Sequence, residues 1–360
     1  MQARRIENRQ LVYVLVLFLI VQFFGFLVVY ASPFNKYSVA ATFGASPQTY
    51  SSSFMAQNIL YFAIAVAVIV LLMRLNRADV FFRVIEAIVV IIGTYFLSFI
   101  ILLDFLHNAA LAGEAALIPA ICIMAFRYAT KGHRNLITMI SSMGYGIFIG
   151  MLFLPGLYAN SPILGFLVIY GFMAAIAIYD YLAVFVLKFM IPMARQAAKM
   201  NLAFMIGSSS IEMIPKERLT KKEIEDFRKT EVSINNHEFK KLIGQGNIPA
   251  VSSAMLGNGD LMVPLMVTTS SFIAFGNAFI SIMTVAGSMA GLVATLYMLK
   301  RYKVGMPAIP PLFAFISIFL FISFLFVKPE MPLIMTVFLS AALISISVMA
   351  ITLRRQRETG

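Results

Sequence analysis

Charge is scarce in this 360-residue chain: 12% of residues are Asp, Glu, Lys or Arg against 61% hydrophobic, and the mean hydropathy is +0.89. That balance excludes a water-soluble domain of this size and implies an all-α polytopic membrane protein. Cysteine is almost missing. Cys122 stands alone in an apolar segment, which excludes an intrachain disulfide and a thiolate metal site and leaves the redox compartment open. Histidine is nearly as rare, with His107, His133 and His237 all in or near loops. A zinc protease needs H-E-x-x-H, yet His237-Glu238 is followed by Phe239-Lys240-Lys241. A membrane serine protease needs a buried serine beside a histidine base, and Ser288, in an apolar run, has none at hand. Neither a metal nor a cofactor is expected. No internal repeat of roughly 20 to 50 residues and no low-complexity tract is present.

What the chain has instead is apolar runs. Taking roughly 20 residues as one crossing, they fall near 11–31, 57–73, 80–103, 110–126, 136–158, 163–190, 250–272, 277–299, 307–327 and 333–353. The expectation is therefore about nine to ten transmembrane helices, the fourth run being short and the ninth opening on prolines. The first run follows Arg4, Arg5 and Arg9 but is too long for a signal peptide and lacks a small-residue cleavage site, so it reads as a retained span. The net charge of +12 would suggest nucleic acid in a soluble protein. Here it sorts by side: with alternating spans, all Lys and Arg but Lys36 and Lys328 fall on one face, which by the positive-inside rule is cytoplasmic. Both termini are then cytoplasmic, and the partners are the bilayer and membrane-embedded chains, with no nucleic acid.

Three regions follow: helices one to six over 1–194, a mixed-charge cytoplasmic loop over 195–249, and the remaining helices over 250–360. Within the loop, Lys221 to Lys241 carries helix-forming acids and bases interrupted by Ser233-Ile234-Asn235-Asn236. It reads as a solvated connector, with substrate gating or self-cleavage as the sharper alternative. The external loop from Ser32 to Gln57 is nearly uncharged and suggests no function. Gly146 with Gly150, and Gly287 with Gly291, form G-x-x-x-G pairs that mark close helix packing.

Two acids, Asp180 and Asp260, lie deep within apolar runs, where a carboxylate is costly enough to imply function. Asp180 precedes Lys188 by roughly 12 Å of helix, and Asp260 follows the start of the seventh helix near Ala250 by roughly 15 Å. Antiparallel spans six and seven would then bring the acids to similar depth. Two carboxylates sharing a site hold one proton between them, so one can activate water while the other acts as acid. Gly257 and Gly259 around Asn258 would let a substrate backbone approach Asp260. Prolines in Met306-Pro307-Ala308-Ile309-Pro310-Pro311 free carbonyls at an extended edge, where a substrate strand could pair; the plainer reading is a proline-marked helix start. Glu86, Asp104 and Glu114, near span ends, read as structural.

Tyr179-Asp180, Gly257-Asn258-Gly259-Asp260 and Pro307-Ala308-Ile309-Pro310 resemble, in order and spacing, the motifs of the presenilin and signal peptide peptidase family of G-x-G-D intramembrane aspartyl proteases. The inward N-terminus and compact loops look most like a prokaryotic, archaeal presenilin homologue in the cell membrane. The resemblance implies that Asp180 and Asp260 form a catalytic dyad hydrolysing peptide bonds of transmembrane substrates, and that Pro307 to Pro310 shapes the substrate cleft. The chain differs in carrying Ile309 where the family has leucine, a near-isosteric change. The family is assigned nine spans, so either Leu333 to Leu353 is an added helix or one shorter run does not cross. The main rival class is a transporter or channel in which the two acids bind a cation or relay protons. A prepilin-type peptidase fits less well, because its aspartates work near the cytoplasmic surface.

Overall fold

The computed structural model describes residues 8–32, 78–130, 133–157, 162–187, 202–203, 205–215, 247–302 and 307–359. The second apolar run, the external loop from residue 33 onward and loop residues 216–246, His237 included, lie outside them. In chain order the elements are α1 (Asn8–Ala31), α2 (Ala78–Leu106), α3 (Ala109–Thr130), α4 (Arg134–Leu157), α5 (Pro162–Tyr181), β1 (Met205–Pro215), β2 (Asn247–Gly257), α6 (Asn258–Phe275), α7 (Ala278–Tyr302), α8 (Ile309–Val327) and α9 (Pro332–Thr359). Seven of the described helices are long and apolar enough to cross a membrane: α1, α2, α3, α5, α7, α8 and α9. Large apolar side chains such as Phe105, Phe326 and Leu333 point outward, as lipid requires.

One expectation needs correction. Residues 250–257 are strand, and the seventh helix starts only at Asn258. β2 pairs antiparallel with β1, from Met205 opposite Gly257 to Pro215 opposite Asn247, so both ends of the expected loop are drawn into a two-stranded sheet beside the helices of a polytopic membrane protein. A short apolar run has no periodicity that separates strand from helix, and here cross-strand pairing decides. Asp260 consequently sits in the first turn of α6, and the helical rise counted from Ala250 does not apply.

α6 is the centre of the bundle, touching α1, α4, α5, α7 and α8. Its Thr268, Thr269, Ser270 and Ser271 are fully buried, and each hydroxyl donates to a carbonyl three or four residues back. Hydroxyls satisfied within their own helix can sit in an apolar core without a desolvated orphan. The glycine pairs set two close crossings. A Cβ at Gly146 would lie 2.9 Å from the Leu265 side chain, and one at Gly150 would lie 2.8 Å from the Met266 carbonyl, so α4 packs directly on α6. Likewise a Cβ at Gly287 or Gly291 would meet the α8 backbone, at 3.0 Å from the Ile316 Cα and 2.6 Å from the Leu312 Cα. α7 thus presses on the start of α8, where the proline motif lies.

Two polar fixtures hold the sheet end. Glu86 of α2 and Arg127 of α3 form a buried ion pair at 3.0 Å, and the same Glu86 oxygen accepts the Ala203 N–H at 2.7 Å, tying the approach to β1 onto the bundle. Asn135, at the start of α4, presents its amide to Gly207 of β1 as a neighbouring strand would: Nδ2 donates to the Gly207 carbonyl at 2.9 Å, and Oδ1 accepts the Gly207 N–H at 3.2 Å. That occupies the outer edge of β1 there. Among the described residues no third strand pairs with β2.

Candidate active site

Gly257 ends β2 and is the N-cap of α6, with extended backbone (φ −71°, ψ 156°). Asp260 is the third residue of the helix, and its Oδ2 accepts the Gly257 N–H at 3.1 Å. A carboxylate placed this way satisfies one of the donors every helix leaves unpaired at its N-terminus and lies in the positive field there. The glycine leaves the carboxylate room: a Cβ at 257 would come 3.3 Å from Asp260 Oδ2, which would have to shift by a few tenths of an ångström. Gly259 faces open space, with nothing within 4 Å of a would-be Cβ. Asn258, between them, is bonded to Ser142 of α4.

Asp180 lies at the end of α5 and is 5% exposed. Tyr181 follows it, and then the helix widens into a π-turn over Leu182–Val186, closed by the Leu187 N–H on the Leu182 carbonyl at 2.8 Å. Such single π-turns occur often beside functional residues. Asp180 Oδ2 accepts the Ile309 N–H at 3.2 Å, and the Ala308 backbone is a second hydrogen-bonding partner. Pro307, Ala308, Ile309 and Pro310 are all buried, with Ala308 as the N-cap of α8. Prolines at the second and third helical positions carry no N–H, so they remove two donors that would otherwise need partners. The N–H groups left at 308 and 309 are the ones that face Asp180. Since the contact is main chain, Ile309 serves it as well as leucine would.

The two acids therefore have matching environments: each sits at a helix N-terminus, Asp260 on its own helix and Asp180 on that of α8. They are close enough for the charge of Asp180 to act on Asp260. Of the other residues singled out in the sequence, Tyr179 is half-buried next to Asp180. His107 and His133 are exposed in turns and Glu114 is exposed on α3, all without contact to the pair.

Sequence reasoning missed Gln22. It lies on α1, fully buried, and its Nε2 donates to the Leu261 carbonyl at 2.9 Å, one residue past Asp260. Its Oε1 has no hydrogen-bond partner among the described residues. Ser142 was missed as well. Both are neutral polar residues inside apolar runs, a signal that a search for ionisable groups passes over.

The model of the family described as signal-peptide peptidase, presenilin aspartyl protease matches residues 15–329 of the chain. That stretch takes in both acids and the proline motif and ends before α9. No curated protein matches the chain.

Proposed function

We propose, from the premise that the chain belongs to the signal-peptide peptidase and presenilin family of aspartyl proteases, that it hydrolyses peptide bonds of membrane-spanning substrates with Asp180 and Asp260 as its catalytic dyad. The observation that carries the reading is the pair itself: two acids on the contacting helices α5 and α6, Asp260 within reach of the charge of Asp180, each accepting a main-chain N–H at a helix N-terminus. The pair acts as a unit, with one proton between two carboxyl groups. The charged member takes a proton from water as that water attacks the scissile carbonyl. The protonated member stabilises the developing oxyanion, and the departing nitrogen is protonated as the peptide bond breaks. The N–H groups of Ala308 and Ile309 keep Asp180 oriented, and Gly259 leaves open the approach to Asp260.

The edge of β2 that no third strand occupies among the described residues runs straight into Gly257 and Asp260, which suits an unwound substrate segment added as a third strand. In this reading substrate main chain pairs with β2 and reaches the acids in extended form. Asymmetry of Lys and Arg supports a cytoplasmic N-terminus, with the sheet and the 195–249 loop on the same side, and the compact loops suit a prokaryotic cell membrane.

A peptide mimic carrying a hydroxyl in place of the scissile carbonyl tests the reading. It should raise the melting temperature of the purified wild type and leave Asp180→Ala and Asp260→Ala unshifted. Protection of neither wild type nor variants, together with aspartate-dependent ion flux in liposomes, would favour a transporter.

A further inference from the structure

The last helix, α9 (Pro332–Thr359), lies wholly beyond residues 15–329, the part that matches the family. It is the least buried of the candidate spans and shows lipid a row of large apolar side chains, among them Leu333, Leu343 and Ile344. Its inward face is a single seam. Met335, Phe338, Ala342, Ser345, Met349 and Thr352, all buried or half-buried, follow one another at alternating steps of three and four residues, with the half-buried Ile334 and Ala341 beside them. Phe338 anchors the seam against Tyr170 and Phe324, with ring centroids 5.0 and 5.3 Å apart. One helix could do this merely to shield α8 from lipid, and then apolar residues would suffice throughout.

The two hydroxyls on the seam do something else. Ser345 Oγ donates to the Pro310 carbonyl at 3.1 Å. Thr352 Oγ1 lies 2.6 Å from the Tyr181 hydroxyl and donates its own proton to the Val348 carbonyl, so Tyr181 is the donor across the interface. Pro310 is next to Ile309, whose N–H holds Asp180; Tyr181 is next to Asp180 itself. The neighbouring pairs 180–181 and 309–310 are thus joined twice, once directly and once through α9. Tyr181, Pro310, Met349 and Thr352 line one cleft between these elements, and the one other polar side chain on its wall, Thr295, donates to the Gly291 carbonyl of its own helix and does not stand in for either bond.

We propose that α9 is a brace for the active site, with Ser345 and Thr352 as positioning residues that hold the end of α5 and the start of α8 at the separation Asp180 requires. The proposal rests on the protease reading above. Losing either bond lets the π-turn and the proline motif drift relative to one another, which lengthens the Asp180 to Ile309 contact without removing any group that meets substrate. The effect belongs in the chemical step and not in substrate capture.

Cleavage of a reconstituted single-span substrate by the full-length chain, with Asp180→Asn as the inactive control, tests this. Ser345→Ala with Thr352→Val should lower kcat by on the order of tenfold while KM changes less than about twofold. Tyr181→Phe should match Thr352→Val and add nothing to it, because both remove the same bond. Thr352→Ser keeps the hydroxyl and should restore wild-type kcat. Wild-type kcat in the Ser345→Ala, Thr352→Val double variant would overturn the brace while leaving the protease reading intact. Equal loss in Thr352→Ser and Thr352→Val would overturn it too, since bulk and not the hydroxyl would then matter. A wild type that does not cleave overturns the protease reading, and the brace with it.

Discussion

At the scale of single residues, the site is built from main-chain donors more than from side chains. Gly257 illustrates this, because its N–H is the bond to Asp260 and its missing side chain is the space that bond occupies. Gly257→Ala should lower cleavage by roughly tenfold or more, since displacement of a reacting group by a fraction of an ångström is expensive in rate. The fold should survive, as an extended φ of −71° suits alanine. Equal kcat in the variant would show that the carboxylate does not need that space. Asp180 and Asp260 were legible in the sequence because a charge in an apolar run stands out. Gln22 and Ser142 were not, because a neutral amide or hydroxyl in such a run declares no partner until the Leu261 carbonyl and Asn258 are seen beside them.

At the scale of elements, the spacing of small residues was informative and the apolar run at 250–257 was not. Gly287 and Gly291 announced a close crossing, and the crossing is α7 on the first turns of α8. Gly291→Ala would put a Cβ 2.6 Å from the Leu312 Cα, a backbone atom that cannot turn aside. The helices must part, at a cost of about 1–3 kcal/mol, and thermal unfolding in detergent should register it together with lower cleavage. The run at 250–257 failed as a helix because its partner residues lie upstream across a polar loop, from Glu212 opposite Ala250 to Met205 opposite Gly257, and register between distant strands leaves no local pattern. The buried Glu86–Arg127 pair was equally hidden, each residue reading as an ordinary span-end charge. Glu86→Ala should cost about 3–5 kcal/mol, because it leaves the Arg127 charge and the Ala203 N–H without their carboxylate. Replacing both, as Glu86→Leu with Arg127→Met, should cost less than Glu86→Leu alone.

At the scale of the whole molecule, apolar helices with lipid-facing side chains pack around α6, and the two acids lie where helix ends meet among them. Helix ends are where a membrane protein can offer unpaired N–H groups to a carboxylate, so the proposed dyad, made of two such junctions, requires α5, α6 and α8 to be assembled together. That assembly predicts the pH response. Cleavage should fall on the acid side, where both carboxyls hold protons, and on the alkaline side, where both are charged, giving a bell-shaped kcat/KM. A rate that climbs steadily with pH would point to a single base. The central claim, that two aspartates act as one unit, is tested most directly by cleavage of a reconstituted single-span substrate with Asp180→Asn and Asp260→Asn. Both substitutions keep an oxygen for the Ile309 and Gly257 N–H groups, so the fold is preserved while the shared proton is lost. Each variant alone should abolish cleavage with the melting temperature nearly unchanged; cleavage at the wild-type rate in either one would contradict the dyad.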